Sequence, residues 1–140
     1  MKEARHTFQV MTYDIDFAGV LNNVVYIRWL EDLRNLFAEQ VLPLSEAFHR
    51  GILPAIGRTE IDYLAPVRFP DKLEGRMGLL RHGRARFVLW AEFRSGAGSG
   101  LLTACARQTG AFVDLIKLRP VPLPAEFAAL ESAQKDRRAQ

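Results

Sequence analysis

Apolar and polar residues alternate over residues 7–13, with Phe8 and Val10 set against Thr7, Gln9 and Met11. That period of two predicts a first strand. A loop containing Gly19 follows, and Asn22-Asn23 then stands where a helix N-cap belongs. From there to about Gln40 the period becomes helical. Tyr26, Trp29, Leu30, Leu33, Leu36 and Phe37 form an apolar stripe, and Arg28, Glu31, Asp32, Asn35 and Glu39 form a polar face. Pro43 ends the helix, and residues 45–50 predict a short second helix closed by Gly51. The rest reads as strands: 58–64, 72–80, 85–93, and a long one over 101–113 with a bulge at Gly110. In the third of these, Ala85, Phe87, Leu89, Ala91 and Phe93 face one side, and Arg86, Val88, Trp90 and Glu92 the other. Residues 94–100 are a Gly- and Ser-rich hairpin loop. Residues 119–124 form an extended, proline-rich exit, 125–130 a single helical turn, and about 131–140 a polar, frayed tail.

The order is strand, long helix, then a meander of four strands. A single amphipathic helix can bury its stripe only against a sheet that curves around it, which predicts an α+β domain with an antiparallel sheet wrapped on a central helix. The 140 residues suit one such domain over 1–140. Nearly half the residues are apolar and a quarter charged, an ordinary globular balance. The formal charge of +3 is too small to point to nucleic acid, and no apolar run approaches membrane-spanning length. The first residues show no secretory pattern. The single cysteine, Cys105, excludes an internal disulfide framework, so a cytoplasmic setting is expected. Cys105 itself reads as a small core residue of a buried strand. His6, His49 and His82 are scattered and give no metal spacing, and neither a metal nor another cofactor is expected.

The segment Tyr13-Asp14-Ile15-Asp16-Phe17-Ala18-Gly19, continuing through Asn22-Asn23 to Tyr26-Ile27-Arg28-Trp29-Leu30-Glu31, resembles the signature of the 4-hydroxybenzoyl-CoA thioesterase family, including its YbgC-like branch. Tyr63-Leu64-Ala65-Pro66 with Asp71, and Arg119-Pro120 with Leu123-Pro124, are similar to that family's later segments. The resemblance implies the hotdog fold, a long central helix wrapped by a five-stranded antiparallel sheet. It implies acyl-CoA thioesterase activity with Asp16 as nucleophile or general base and the Asn23 amide as oxyanion donor. In this sequence Val20 stands where many relatives carry a histidine, whereas Asn22-Asn23 is similar to other branches.

The chemistry is sound on its own terms. A carboxylate near a helix N-terminus is favoured by the dipole, and it can attack a thioester carbon or deprotonate a water. The unsatisfied N–H groups of the helix's first turn are ready oxyanion donors. Gly19 would let the loop approach the substrate closely. Asp14 reads as a turn-stabilising carboxylate, and Asn22 as a cap. Tyr26 sits on the core stripe and is also a candidate substrate contact. Thr59 and Glu60 are candidates for donating a hydrogen bond and ordering a water at a site shared between two chains. Arg81, Arg84 and Arg86 are candidates for the CoA phosphates, which guanidinium groups bind bidentately, with Lys117 and Arg119 as weaker ones.

The expected partners are an acyl-CoA, or an acyl carrier protein thioester, and further copies of the chain as a homodimer or homotetramer, because such a sheet leaves an open edge. A non-catalytic acyl-thioester-binding hotdog protein and an acyl-ACP thioesterase are the alternatives. A hotdog dehydratase would need a histidine in the loop, and this loop has none.

Overall fold

The computed structural model describes residues 2–96 and 98–131. Strand β1 (Glu3–Gln9) leads through a 3-10 turn (Thr12–Asp14) into helix α1 (Asn23–Val41) and then α2 (Leu44–His49). Strands β2 (Ile52–Tyr63), β3 (Lys72–His82), β4 (Arg86–Ser95) and β5 (Leu102–Asp114) follow, then β6 (Pro120–Val121) and a short α3 (Ala125–Ala128). The sheet order is β1-β3-β4-β5-β2, with every pair antiparallel and β6 a two-residue addition on β5. The sheet curls around α1, whose 19 residues run about 28 Å. This is the hotdog architecture. Apart from Glu131, the polar tail at 131–140 lies outside the described residues.

The core forms where two periodicities meet. The helix contributes Val25, Tyr26, Trp29, Leu30, Leu33 and Phe37. The sheet's inner face contributes Phe8, Leu73, Met77, Leu79, Phe87, Leu89, Ala91, Phe93, Ala104, Ala106 and Phe112. Phe8 stacks on Trp29 at 4.7 Å between ring centroids, and Tyr26 meets Phe93 edge-on at 5.0 Å. Each such pair adds about 0.5–1.5 kcal/mol beyond area burial. A Cβ at Gly75 would stand 2.7 Å from the Phe8 ring, so β3 must be bare there for the cluster to close.

Several sequence expectations need correction. The first strand starts earlier and ends earlier than 7–13: Ala4, fully buried, is in phase with Phe8, while the chain leaves the sheet at Val10 and leaves Tyr13 75% exposed. Leu36 is on the exposed flank of α1, and Val25 takes its place in the stripe. β2 begins at Ile52, not 58, because Pro54 is tolerated on an edge strand. The bulge lies across from Gly110, at Gly57 of β2, where the register shifts between Ile56 and Arg58. Val88 and Trp90, on the opposite face of β4 from Phe87 as the alternation predicts, are buried there with Leu80 on the outer side of the sheet. Cys105 is half-buried on that same outer side, its Sγ 3.9 Å from Asp62 Oδ2, and is not part of the core.

Candidate active site

The loop between the 3-10 turn and α1 is held on three sides. The buried Asp14 carboxylate accepts the Met11 N–H at 2.9 Å and meets Arg28 at 3.3 Å, and the Asp14 carbonyl accepts the Asn22 N–H at 2.8 Å. Leu21 donates its N–H to Val67 O at 2.7 Å, and Val20 bridges to Arg68. Within the loop, Asp16 N–H donates to Val20 O at 2.8 Å and Gly19 N–H donates to Asp16 O at 3.0 Å. Asp14 thus has the turn-stabilising geometry expected of it.

Asp16 is half-buried, and its Oδ1 accepts the Ala18 N–H at 2.8 Å and the Val20 N–H at 3.3 Å. One carboxylate oxygen is therefore fixed by backbone donors. Oδ2 makes no hydrogen bond among the described residues. Gly19 has φ +79, a left-handed conformation that side chains resist, and nothing lies within 4 Å of where a Cβ would be. The positive φ is what requires glycine here, and the space beside it is open.

Helix α1 starts at Asn23, capped by Asn22, whose Oδ1 accepts the Val24 N–H at 3.0 Å. The exposed Asn23 amide is left without an acceptor among the described residues. It stands at the wall of a cleft of about 260 Å³, bounded by Val20, Leu21 and Tyr26 on one side and the run Tyr63 to Val67 on the other. Tyr26 is 3% exposed, and its hydroxyl donates to Thr103 Oγ1 at 3.1 Å. Burial pushes its phenol pKa up, the Thr103 bond opposes that, and Tyr63 adds to it. Tyr26 is a core residue that also lines this cleft.

The other expected residues lie elsewhere. Arg81, Arg84 and Arg86 are all exposed at the β3–β4 turn. Asn23 and Tyr26 lie at the Phe93 end of β4; Arg86 is at the other end, seven residue steps or about 24 Å away. A single chain does not bring the arginine cluster to Asp16. Glu60 lies on the edge strand β2 with Arg58 Nε 3.5 Å from its carboxylate.

Thr59 belongs to a set that the sequence reading missed. Its Oγ1 accepts from Gln108 Nε2 at 3.0 Å, and Gln108 Oε1 accepts from Arg34 at 2.7 Å. Gln108 is 2% exposed. Both missed residues carry a readable signal. Arg34 is in phase with Leu30 and Phe37 on the helix stripe, and Gln108 is in phase with Ala104, Ala106 and Phe112 on the inner face of β5. A polar residue in phase with a core is there for a partner. Arg34 borders a second, larger cavity of about 400 Å³ between α1, α2 and the β2–β5–β4 side of the sheet.

Among the described residues no group of His, Cys, Asp or Glu is placed to hold a metal, and no helix is long and apolar enough to cross a membrane.

The fold is shared with several solved structures. A 1,4-dihydroxy-2-naphthoyl-CoA thioesterase from Synechocystis is 22% identical over 91% of this chain and 93% of its own, with a TM-score of 0.80. A DHNA-CoA thioesterase from Staphylococcus aureus is 17% identical over 88% of this chain and 82% of its own, with a TM-score of 0.79. A further Staphylococcus aureus protein, solved in complex with CoA, is 17% identical over 91% and 80%, with a TM-score of 0.82. The model of the thioesterase-like superfamily matches residues 10–130. That match includes the Asp16 loop, α1 and all four long strands, so the chain belongs to the thioesterase-like superfamily and is a thioesterase of hotdog fold.

Proposed function

We propose that this protein hydrolyses an acyl-CoA, with Asp16 as nucleophile or general base and the Asn23 amide as oxyanion donor, in the manner of the YbgC-like branch. The observation that carries this reading is the loop itself. It fixes one oxygen of Asp16 with two backbone donors and, among the described residues, leaves the other without one and delivers a helix N-terminus whose first amide has no acceptor. A thiolate is a good leaving group, so a carboxylate and one or two aimed donors suffice.

The site is completed by a second copy of the chain. α1 runs opposite to β2: its start faces Tyr63, and its later turns face Leu53, Pro54 and Ile56. β2 is an open edge. Two copies paired antiparallel through β2 put the Asp16 end of one chain beside the arginine-rich end and large cavity of the other. That reunites the catalytic loop with Arg81, Arg84 and Arg86 for the CoA phosphates, and with the strand that carries Thr59 and Glu60. The setting is cytoplasmic, where CoA thioesters occur, and the homodimer is the minimal active unit.

The test is thiol release from a panel of aromatic, short-chain and long-chain acyl-CoA esters, with the matching acyl carrier protein thioesters alongside. Turnover of at least one acyl-CoA is expected. Tight binding of these thioesters without turnover would favour the non-catalytic binding protein, and turnover of carrier-protein thioesters alone would favour the acyl-ACP enzyme.

A further inference from the structure

The larger cavity poses a problem that the proposed chemistry does not answer. α1 packs against β1 and β3 and α2 against β2, which leaves room on the β5 side. Phe37, Phe87, Phe112 and Phe127 wall that room, and its volume of about 400 Å³ is that of a small-molecule site. Yet its lining also includes Arg34, with Glu31 and Asn35 beside it on α1.

A half-buried cation beside aromatic walls is unfavourable unless something compensates its charge. Arg34 has five donors and spends one on Gln108 at 2.7 Å. Among the described residues it makes no ion pair within 4 Å. Burial pulls its pKa down, and the charge of Glu31, one turn earlier, only partly offsets this. The Gln108 amide, itself anchored on Thr59, fixes the guanidinium in one place. Glu31 and Asn35 share this helical rim of the cavity with Arg34, but neither the carboxylate nor the amide bonds to it among the described residues, so a guanidinium held in place beside the aromatic wall is a receptor for an anion.

We infer that this cavity receives the acyl part of the substrate, and that Arg34 selects acyl groups ending in a carboxylate, the half-thioesters of dicarboxylic acids. The hydrocarbon spacer takes the aromatic walls and the carboxylate takes the free donors of Arg34. Arg34 is eleven residues, or about 16 Å, along α1 from Asn23, farther than a short acyl chain spans, so the thioester would meet the partner chain's catalytic loop. In calling the ligand an acyl group, this rests on the thioesterase reading.

The experiment is calorimetric binding of two non-hydrolysable thioethers, S-hexyl-CoA and S-(5-carboxypentyl)-CoA. The wild type should bind the carboxylate form at least about ten-fold more tightly. Arg34→Gln should abolish that preference, Arg34→Lys should keep part of it, and Ala38→Phe, which fills the cavity, should weaken both ligands. Circular dichroism establishes that each variant folds, and the wild-type ratio stands on its own where one does not. Equal binding of the two thioethers by the wild type, or a preference that survives in Arg34→Gln, overturns the inference. Hydrolysis separates the two readings. A protein that prefers the carboxylate form yet cleaves no thioester keeps this inference and loses the thioesterase mechanism; one that cleaves thioesters but binds both forms equally does the reverse.

Discussion

Asp14 and Asp16 stand two residues apart in one loop and do different work. Asp14 is 4% exposed and spends its carboxylate on Met11 N–H and Arg28. Asp16 is half-buried, and its Oδ2 accepts no hydrogen bond among the described residues. Asp14→Asn keeps an acceptor for Met11 but loses the charge that faces Arg28, whose side chain is 61% exposed. The expected result is a loss of about 1 kcal/mol in stability, read as a lower Tm, with kcat changed little. A folded Asp14→Asn of undiminished Tm that had lost most of its kcat would exchange the two roles. At this scale the sequence was informative about identity and silent about environment. Asn22 read as a cap and is one, because capping depends only on its immediate neighbours. Gly19 read as a point of close approach to a substrate, and the structure adds a turn requirement, a positive φ, that the sequence reading did not name. Which of those two demands a glycine meets depends on atoms far away in sequence.

Elements differ in how much of their position is local. α1 was legible almost to the residue, since its cap, its stripe and Pro43 all lie within its own span. β1 was misplaced because Ala4, buried and in phase with Phe8, is a weak apolar signal, and His6 between them is polar and exposed. Trp90 takes the face that alternation gives it, but alternation cannot tell that this outer face is itself buried there. The β3–β4 turn carries a functional consequence. Arg84 and Arg86 are exposed there, remote from the reacting bond, so contacts from them would hold ground state and transition state alike. Arg84→Ala and Arg86→Ala should therefore raise KM for acyl-CoA with kcat nearly unchanged, and leave a short acyl-pantetheine thioester unaffected. Equal losses on both substrates would remove these residues from the CoA site.

Across the whole molecule, the hotdog fold was within reach of the sequence because one long amphipathic helix followed by a meander has few ways to bury its stripe. The layout of the site was not. The strand order β1-β3-β4-β5-β2 sends the Asp16 loop and the arginine cluster to opposite ends, and no local pattern encodes that separation. The twelve-residue open edge of β2 is where the proposed second copy would pair. Sedimentation at micromolar concentration should show a dimer or a dimer of dimers, and specific activity should fall as dilution produces monomer. A stable monomer with full specific activity would place the entire site in one chain. The most direct measurement remains steady-state hydrolysis of the acyl-CoA panel by the wild type and by Asp16→Asn, with circular dichroism on both. Asp16→Asn keeps the shape of the loop and removes the charge, so kcat should drop by about 10²–10⁴ while substrate binding persists. A folded Asp16→Asn that hydrolyses every thioester as the wild type does would contradict the catalytic role of Asp16.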